Sequence, residues 1–366
     1  MLTKASYFRL FNMNNIYGGV VEQDCLTLHV NQKQVSASDS DVTPSDSNAC
    51  NLALAIEKSF NNFSALCDQD LQYVGWRMII ASMPTQSSTC NLNVVYFDER
   101  ICIAEDNSRS TLLCFKDVES VENSCKLDVV ELNLPEYIKG LSCTDKSLYF
   151  YTDVGSLWTL SNLSIVEPQK ILLSNMKVRR VSCGKEHVVI LTTLGHVYTF
   201  GGGSRGQLGH GDLESLTEPR LVEALSGVFI VDAVAGGWHT LVLSDTGDVY
   251  SWGWNESGQV GKPCLKDSHG EPQCGDRVGH SMIMYPSLLF EDNCDITITS
   301  ISCGSRHSAA VTSDGKLYSW GWNGYGQLLL PKDVIVQDSP NLYTDTNTRF
   351  TSVKCGGWST FVFTNT

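Results

Sequence analysis

The sequence has few basic residues for its length. Its 366 residues include 26 Lys and Arg against 40 Asp and Glu, so the formal net charge is −14. Affinity for nucleic acids comes mainly from Lys and Arg side chains that displace counterions from phosphates, and an acidic chain repels phosphate backbones. Direct nucleic-acid binding is therefore disfavoured, whereas basic protein partners, histone tails among them, are compatible with this charge.

Long apolar runs are also missing. The first ten residues, MLTKASYFRL, lack the apolar core of a secretory signal, and no stretch of the chain reaches transmembrane length. We therefore expect neither secretion nor membrane insertion. The 14 cysteines of such a chain are predicted to be reduced thiols in the nucleus or the cytosol.

No segment shows long helical periodicity, but the chain contains an internal repeat. Four segments share a small residue, a glycine and, three residues after the glycine, a position occupied by His187, His239, His307 and Ser359, with spacings of 52, 68 and 52 residues. A more divergent copy of the repeat precedes them, with Ser147 at the same position. Self-similarity at such a period is typical of repeat architectures.

Each copy is expected to fold as an antiparallel β-meander. An apolar strand that ends in Cys-Gly or Ala-Gly precedes a second apolar strand, and tight turns at Thr246-Gly247 and Asp314-Gly315 lead to a third strand rich in aromatic residues. Cys183, Ala235 and Cys303 share the position before the glycine, which predicts a small buried side chain there.

Sheets of this kind must stack to bury both faces, and radial closure protects their edges. A 52-residue repeat in 366 residues predicts about seven blades. The last copy stops after two strands, so residues 1–12 are expected to complete it as a clasp. The sequence thus predicts one all-β domain over residues 1–366, a single closed β-propeller of seven four-stranded blades whose N- and C-terminal strands share one blade.

The repeat is much easier to recognise in the C-terminal part of the chain than in the N-terminal part. Residues 1–137 are expected to form divergent blades, and residues 138–366 the recognisable ones. The Ser- and Asp-rich segment 35–50 predicts a mobile loop. The 68-residue spacing places an insertion loop at residues 262–285.

The recurring histidines invite interpretation as a metal site, but equivalent positions of different blades lie around a ring and do not converge. We expect a structural role instead, with hydrogen bonds to backbone near the turn, and backbone roles for the glycines. The structural set is His187, His239, His307, Gly184, Gly236, Gly304 and Gly356. Four residues of the insertion could in principle bind zinc: Cys264, His269, Cys274 and His280. A zinc site is disfavoured, because these residues do not have the paired spacing of structural zinc sites. No metal and no cofactor is predicted.

A surface for partners is expected on one rim. Residues 201–209 are glycine-rich but lack the Gly-Lys-Ser/Thr ending of a phosphate loop, so they predict turns. In the runs 252–254 and 320–322, the first tryptophan is expected in the core and the second near the surface. Arginine and aromatic residues on loops are frequent binding anchors, which nominates Arg205, Trp254, Asn255, Glu256, Trp322, Asn323 and Tyr325. No catalytic arrangement is recognised, so a non-enzymatic protein-interaction scaffold is favoured.

The pattern Cys/Ala-Gly-x-x-His-Ser/Thr, then Trp-Gly and a closing Gly-Gln-Leu/Val, resembles the regulator-of-chromosome-condensation repeat. The resemblance is strong over residues 178–366 and implies a seven-bladed propeller. Residues 201–211, 218–225 and 251–259 resemble more narrowly one animal member of this family. That likeness implies a nuclear, chromatin-linked adaptor that pairs with a jumonji-C oxygenase acting on histones and supports chromosome segregation.

Two other functions are compatible with the repeat. Likeness to the founding member of the family implies a guanine-nucleotide exchange factor for a Ran-type GTPase, with the insertion 262–285 as the candidate wedge. A tryptophan-based light sensor is the weaker alternative, because residues 237–240 have no arginine between Trp and His.

Overall fold

The computed structural model describes most of the chain beyond residue 135 and, before it, the backbone of four strands. The described ranges are 136–161, 167–173, 176–264, 279–291, 296–331, 333–343 and 348–364, with the strands lying between residues 92 and 133. Throughout these residues the regular structure is β-strand, except for one 3₁₀ turn at Glu223–Leu225. The all-β prediction is confirmed.

The strands form six antiparallel sheets, each in sequence order, which we number along the chain. Sheet 1 contains β1 (Leu92–Phe97), β2 (Arg100–Glu105), β3 (Thr111–Lys116) and β4 (Val129–Asn133). Sheet 2 contains β5 (Ile138–Cys143), β6 (Leu148–Thr152), β7 (Leu157–Leu160) and β8 (Gln169–Ile171). Sheet 3 contains β9 (Val178–Cys183), β10 (His187–Thr192), β11 (Val197–Gly201) and β12 (Leu216–Leu221).

The C-terminal sheets repeat this order. Sheet 4 contains β13 (Ile230–Ala235), β14 (His239–Ser244), β15 (Val249–Trp254) and β16 (Met282–Leu288). Sheet 5 contains β17 (Ile298–Cys303), β18 (His307–Thr312), β19 (Leu317–Trp322) and β20 (Val336–Leu342). Sheet 6 has two strands, β21 (Phe350–Cys355) and β22 (Thr360–Thr364).

Glycines at left-handed backbone angles close the hairpins that the sequence predicts. Gly247 has φ +91° and Gly315 has φ +84°. In the first turn the Gly247 amide donates to the carbonyl of Ser244 at 3.2 Å, and the Ser244 amide donates to the carbonyl of Asp248 at 2.9 Å. Positive φ is a conformation that glycine adopts without steric strain, so these turns depend on it.

The hydrophobic core lies between successive sheets. Leu191 and Val197 of sheet 3 pack against Ile230 and Trp252 of sheet 4. Clusters of the same kind join sheets 2 and 3, sheets 4 and 5, and sheets 5 and 6. Strands β10, β14 and β18 are buried along their whole length. Burial on both faces explains why the middle of each strand is an unbroken apolar run that does not alternate with polar residues.

Some expectations lie beyond these residues. The clasp at residues 1–12 and the loop at 35–50 fall outside the described part, as does most of the insertion 262–285. The described strands show stacked sheets but no closed ring, so the count of seven blades and the shared terminal blade stay predictions. Where the structure describes the chain, no helix has the length and apolar character needed to cross a membrane.

Candidate interaction surface

Histidine–hydroxyl hydrogen bonds join sheet 3 to sheet 4, sheet 4 to sheet 5 and sheet 5 to sheet 6. The Nε2 atom of His187 lies 3.0 Å from the Oγ1 atom of Thr240 in sheet 4. His239 repeats the contact with Ser308 Oγ at 2.9 Å, and His307 repeats it with Thr360 Oγ1 at 3.0 Å. We expected backbone partners near the turn, but the recorded partner of each Nε2 atom is a hydroxyl of the next sheet.

The hydroxyls of Thr240 and Ser308 in turn donate to backbone carbonyls, which fixes the tautomer of the histidines that they contact. Thr240 donates its proton to the carbonyl of Gln207 at 3.1 Å. Because that proton is committed, the bond between the hydroxyl and His187 requires the proton on Nε2. Burial lowers the pKa of His187 to about 3. The same cause, with smaller contributions from neighbouring histidines, lowers the pKa of His239 to about 3. Both imidazoles are therefore neutral at physiological pH.

The glutamine of the closing Gly-Gln-Leu/Val motif supplies the other half of this link. The indole nitrogen of Trp252 donates to the Gln207 carbonyl at 2.9 Å, and that of Trp320 donates to the Gln259 carbonyl at 3.0 Å. Both tryptophans are fully buried, as expected for the first tryptophan of each run. The sequence reasoning treated the glutamines only as part of a motif and missed that their carbonyls accept two bonds from the next sheet.

The glycines that precede the histidines make room for the imidazoles. A Cβ on Gly184 would overlap the ring of His187, and one on Gly236 would overlap the ring of His239. The same conflict arises between Gly304 and His307. The requirement at these positions is thus close approach of an imidazole to the backbone.

Three of the nominated rim residues lie in the interior: Trp254, which was expected near the surface, is only 8% exposed, and the other two are asparagines. Asn255 is 0% exposed and donates to the carbonyls of Lys262 and His280 at 2.9 and 3.1 Å. Asn323 is 2% exposed and donates to the carbonyl of Val334 at 2.8 Å. Their expected place on the surface is therefore corrected: both side chains hold the rim loops from inside. The neighbouring Glu256 is exposed.

Five side chains from three sheets form a cluster at the rim that we call the aromatic–basic strip: Lys185, Arg205, Trp238, Trp254 and Arg306. Trp254 is buried in this cluster, and the other four side chains are partly exposed. The guanidinium of Arg205 lies 4.4 Å from the ring centre of Trp238 and 5.0 Å from that of Trp254. Arg306 lies 4.7 Å from Trp254, and the ammonium of Lys185 lies 5.1 Å from Trp238. The two indoles meet edge to face at 5.4 Å. Distances below about 6 Å are those of cation–π contacts.

Backbone hydrogen bonds between neighbouring sheets hold the loops that carry this strip. The Lys185 amide donates to the carbonyl of Gly237 at 3.0 Å, and the Gly237 amide donates to the carbonyl of Gly304 at 3.2 Å. Ser305 continues the series by donating to the carbonyl of Gly357 at 2.8 Å. The strip therefore rests on a fixed backbone, as binding loops on rigid scaffolds do.

A second aromatic group follows on sheets 5 and 6. The ring centre of Trp322 lies 5.0 Å from that of Tyr325 and 5.1 Å from that of Trp358, and Tyr325 is 61% exposed. Tyr325 stands two residues before Gln327, as Arg205 stands two residues before Gln207. Equivalent repeat positions thus contribute an arginine to one group and a tyrosine to the other.

Sequence reasoning nominated Arg205, Trp254, Trp322 and Tyr325 but missed four of their neighbours. The missed residues are Lys185, Trp238, Arg306 and Trp358. Three of them, Trp238, Arg306 and Trp358, directly precede the histidine position of a repeat. A comparison of that position between copies was the available signal. Trp238 lies on a different sheet from its cation partners, as Arg306 does from Trp254 and Trp358 from Trp322, so adjacency in the chain did not reveal these contacts.

Features that suggest chemistry in the sequence are turns in the structure. Residues 202–206 spell G-x-S-x-G, the pattern of a hydrolase nucleophile, but they link strand β11 to strand β12 and open no helix. Gly206 and Gly209 have φ +71° and +78°, as turn glycines do. Of the candidate zinc ligands, Cys264 is buried and His280 is exposed, while Cys274 and His269 lie outside the described part. Among the described residues, no three His, Cys, Asp or Glu side chains are grouped to hold a metal ion.

Stacked antiparallel meanders, with a histidine–hydroxyl hydrogen bond at each of the three interfaces between sheets 3 and 6, define a repeat protein of the β-propeller class. The "Regulator of chromosome condensation (RCC1) repeat" matches residues 195–243, 246–311 and 314–363 of the chain. A second description of the same repeat matches 178–207, 230–259 and 298–327. The chain therefore carries RCC1 repeats within residues 178–363.

Named proteins are similar to part of this chain. RCC1 domain-containing protein 1 of Mus musculus is 39% identical over 220 residues, which cover 52% of this chain and 57% of that protein. The ultraviolet-B receptor UVR8 of Arabidopsis thaliana is 36% identical over 159 residues, covering 43% of this chain and 32% of the receptor. The chain thus matches little more than half the length of the mouse protein.

Solved structures agree on the fold. Prp20p of Saccharomyces cerevisiae, whose structure was described together with its binding to Gsp1p and histones, has a TM-score of 0.58 at 21% identity. The likeness covers 78% of this chain and 68% of that one. Human WBSCR16 also has a TM-score of 0.58, at 20% identity over 77% of this chain and 75% of its own. At this identity the likeness shows the fold alone.

Proposed function

We propose that this protein is a non-enzymatic scaffold that binds other proteins through the aromatic–basic strip and the aromatic group beside it. The observation that carries the proposal is the strip itself, in which cationic and indole side chains from three sheets meet on a hydrogen-bonded backbone. Arginine and tryptophan are the residue types that most often dominate the energy of protein interfaces. The repeated histidines, by contrast, are buried, neutral and committed to links between sheets.

The partner that we propose is a jumonji-C oxygenase acting on histones, with the protein as its chromatin-linked adaptor in the nucleus. The motif resemblance described above and the 39% identity to RCC1 domain-containing protein 1 support placing the chain in this group. The net charge of −14 fits a role that reaches chromatin through proteins and not through direct contact with DNA.

Affinity co-purification of the full chain from cells, read by mass spectrometry, tests this proposal. We expect a jumonji-C protein to be recovered with the wild type and depleted with Arg205→Ala and Trp254→Ala. Arg220→Ala is the matched control, because Arg220 is exposed and pairs with Asp212 instead of an indole. Thermal melts separate lost binding from lost folding. Failure of the wild type to recover any jumonji-C protein contradicts the adaptor role.

The exchange-factor alternative draws on the likeness to Prp20p, which binds Gsp1p. The same purified chain is assayed for release of labelled guanine nucleotide from a Ran-type GTPase. Catalytic release at substoichiometric concentration would replace the scaffold proposal with an exchange factor.

A further inference from the structure

One indole ring in the strip holds two positive charges. The guanidinium groups of Arg205 and Arg306 lie 5.0 and 4.7 Å from the ring centre of Trp254. They come from sheets 3 and 5, so the fold brings them to the same ring across an intervening sheet. Like charges at such separations repel each other, and an anion between them relieves that repulsion.

Neither of these arginines has a carboxylate partner in the described part of the chain, although the protein is rich in acidic residues. Other arginines there do: Arg180 pairs with Asp232, and Arg220 pairs with Asp212. In addition, the Nε atom of Arg306 and the Nε1 atom of Trp238 are buried donors for which the structure records no acceptor. These two donors therefore have no recorded acceptor beside the two arginines.

Stacking leaves the arginines chemically available. A guanidinium that lies on an aromatic face keeps its N–H groups at its edge, where they match the two oxygens of a carboxylate. The indoles hold the guanidinium groups in place, so little side-chain freedom is lost when an anion binds. The guanidinium N–H groups of the strip are therefore suited to bind a carboxylate.

We infer that the aromatic–basic strip binds a short acidic peptide segment of a partner protein. The inference rests on the proposed scaffold function and names the chemistry that its surface recognises. Charge complementarity selects this occupant: a short segment meets only the local cations, whereas a long polyanion such as DNA also meets the field of a chain with net charge −14.

Titration of the full chain with a ten-residue peptide of alternating Glu and Ser tests the inference, with alternating Gln and Ser as the uncharged control. Binding is measured by calorimetry and by tryptophan emission, since Trp238 and Trp254 line the site. We expect the Glu peptide to bind at least about tenfold more tightly than the Gln peptide, and this difference to shrink as salt rises. Arg205→Gln and Arg306→Gln should each weaken binding about tenfold, and Arg220→Gln should leave it unchanged.

Three results would overturn the inference. They are equal affinity for the two peptides, equal weakening by Arg220→Gln, and tighter binding of a ten-nucleotide single-stranded DNA than of the Glu peptide. The outcome is separable from that of the proposed function. Recovery of the oxygenase without peptide binding removes only the acidic-segment inference, and peptide binding without recovery of the oxygenase removes only the proposed partner.

Discussion

The Nε2 atom of His187 in sheet 3 lies 3.0 Å from the Oγ1 atom of Thr240 in sheet 4, so this hydroxyl helps to hold together two sheets that share no strand. That hydroxyl also donates to the Gln207 carbonyl. Its replacement therefore affects two buried polar groups at once. The same geometry recurs at the next interface through His239 and Ser308.

Thr240→Val keeps the shape of the side chain and removes the hydroxyl. His187 is then left with a buried N–H group that lacks its acceptor, which costs about 1–3 kcal/mol. Urea unfolding should show a free energy of unfolding lower by this amount. Thr193→Val is the control, because Thr193 is exposed in the turn that follows strand β10. The free energy of unfolding of this variant should stay within about 0.5 kcal/mol of wild type. Equal stability of the two variants would contradict a structural role for the hydroxyl.

Gly236→Ala adds one methyl group where the ring of His239 and the carbonyl of Gly304 already lie. Overpacking of a rigid interior costs about 1–3 kcal/mol and sometimes more, so we expect a strongly destabilised or insoluble chain. Gly227→Ala is the comparison: at φ +90° it brings backbone strain of about 1 kcal/mol, but its Cβ meets no atom within 4 Å. Thermal melts of both variants measure the difference. A Gly236 variant as stable as the Gly227 variant would show that the backbone shifts to accept the methyl group.

The buried histidines predict a loss of stability in mild acid. Their pKa values in the folded chain are lowered to about 3 for His187 and His239 and to about 4 for His307, whereas an unfolded histidine titrates near 6.5. Between these values the unfolded state binds protons that the folded state does not, so stability falls as pH falls below about 6.5. Each histidine contributes up to about 1.4 kcal/mol per pH unit in that window.

Urea midpoints measured between pH 7 and pH 4.5 test this dependence. We expect His307→Gln to show a shallower decline than wild type, even if it is less stable at pH 7. His196→Gln changes an exposed histidine and should keep the wild-type slope. A slope unaffected by His307→Gln would mean that this imidazole does not stay neutral in the folded chain.

The periodic features of the sequence predicted the sheets, and the reason is that each copy encodes its own turns. Gly247 and Gly315 occupy the same hairpin position in two copies of the repeat. Trp252 and Trp320 likewise fill equivalent gaps between neighbouring sheets. The strip was harder to predict, because Arg205, Trp254 and Arg306 belong to three different sheets. Their contacts depend on how copies stack, which no single copy specifies.

For Asn255 the sequence-based prediction was wrong. A polar residue beside an aromatic rim was expected at the surface, but its side chain is buried. Its side chain donates to three carbonyls, those of Lys262, Pro263 and His280, and its Oδ1 atom accepts from the Val260 amide at 3.1 Å. Local chain position suggested exposure, whereas the unsatisfied carbonyls of the following loop required a buried amide.

Substitutions of the adjacent residues Asn255 and Glu256 are therefore expected to affect stability very differently. Asn255→Ala removes the amide that satisfies these carbonyls, and we expect unfolding to become easier by about 2–4 kcal/mol because several bonds are lost together. Glu256→Ala changes an exposed side chain and should stay within about 0.5 kcal/mol of wild type. Urea denaturation provides the comparison, and partner recovery at a temperature where both variants are folded provides a second readout. If Asn255→Ala keeps full stability but loses the partner, the amide contacts the partner after all, and the interior role assigned to it is wrong.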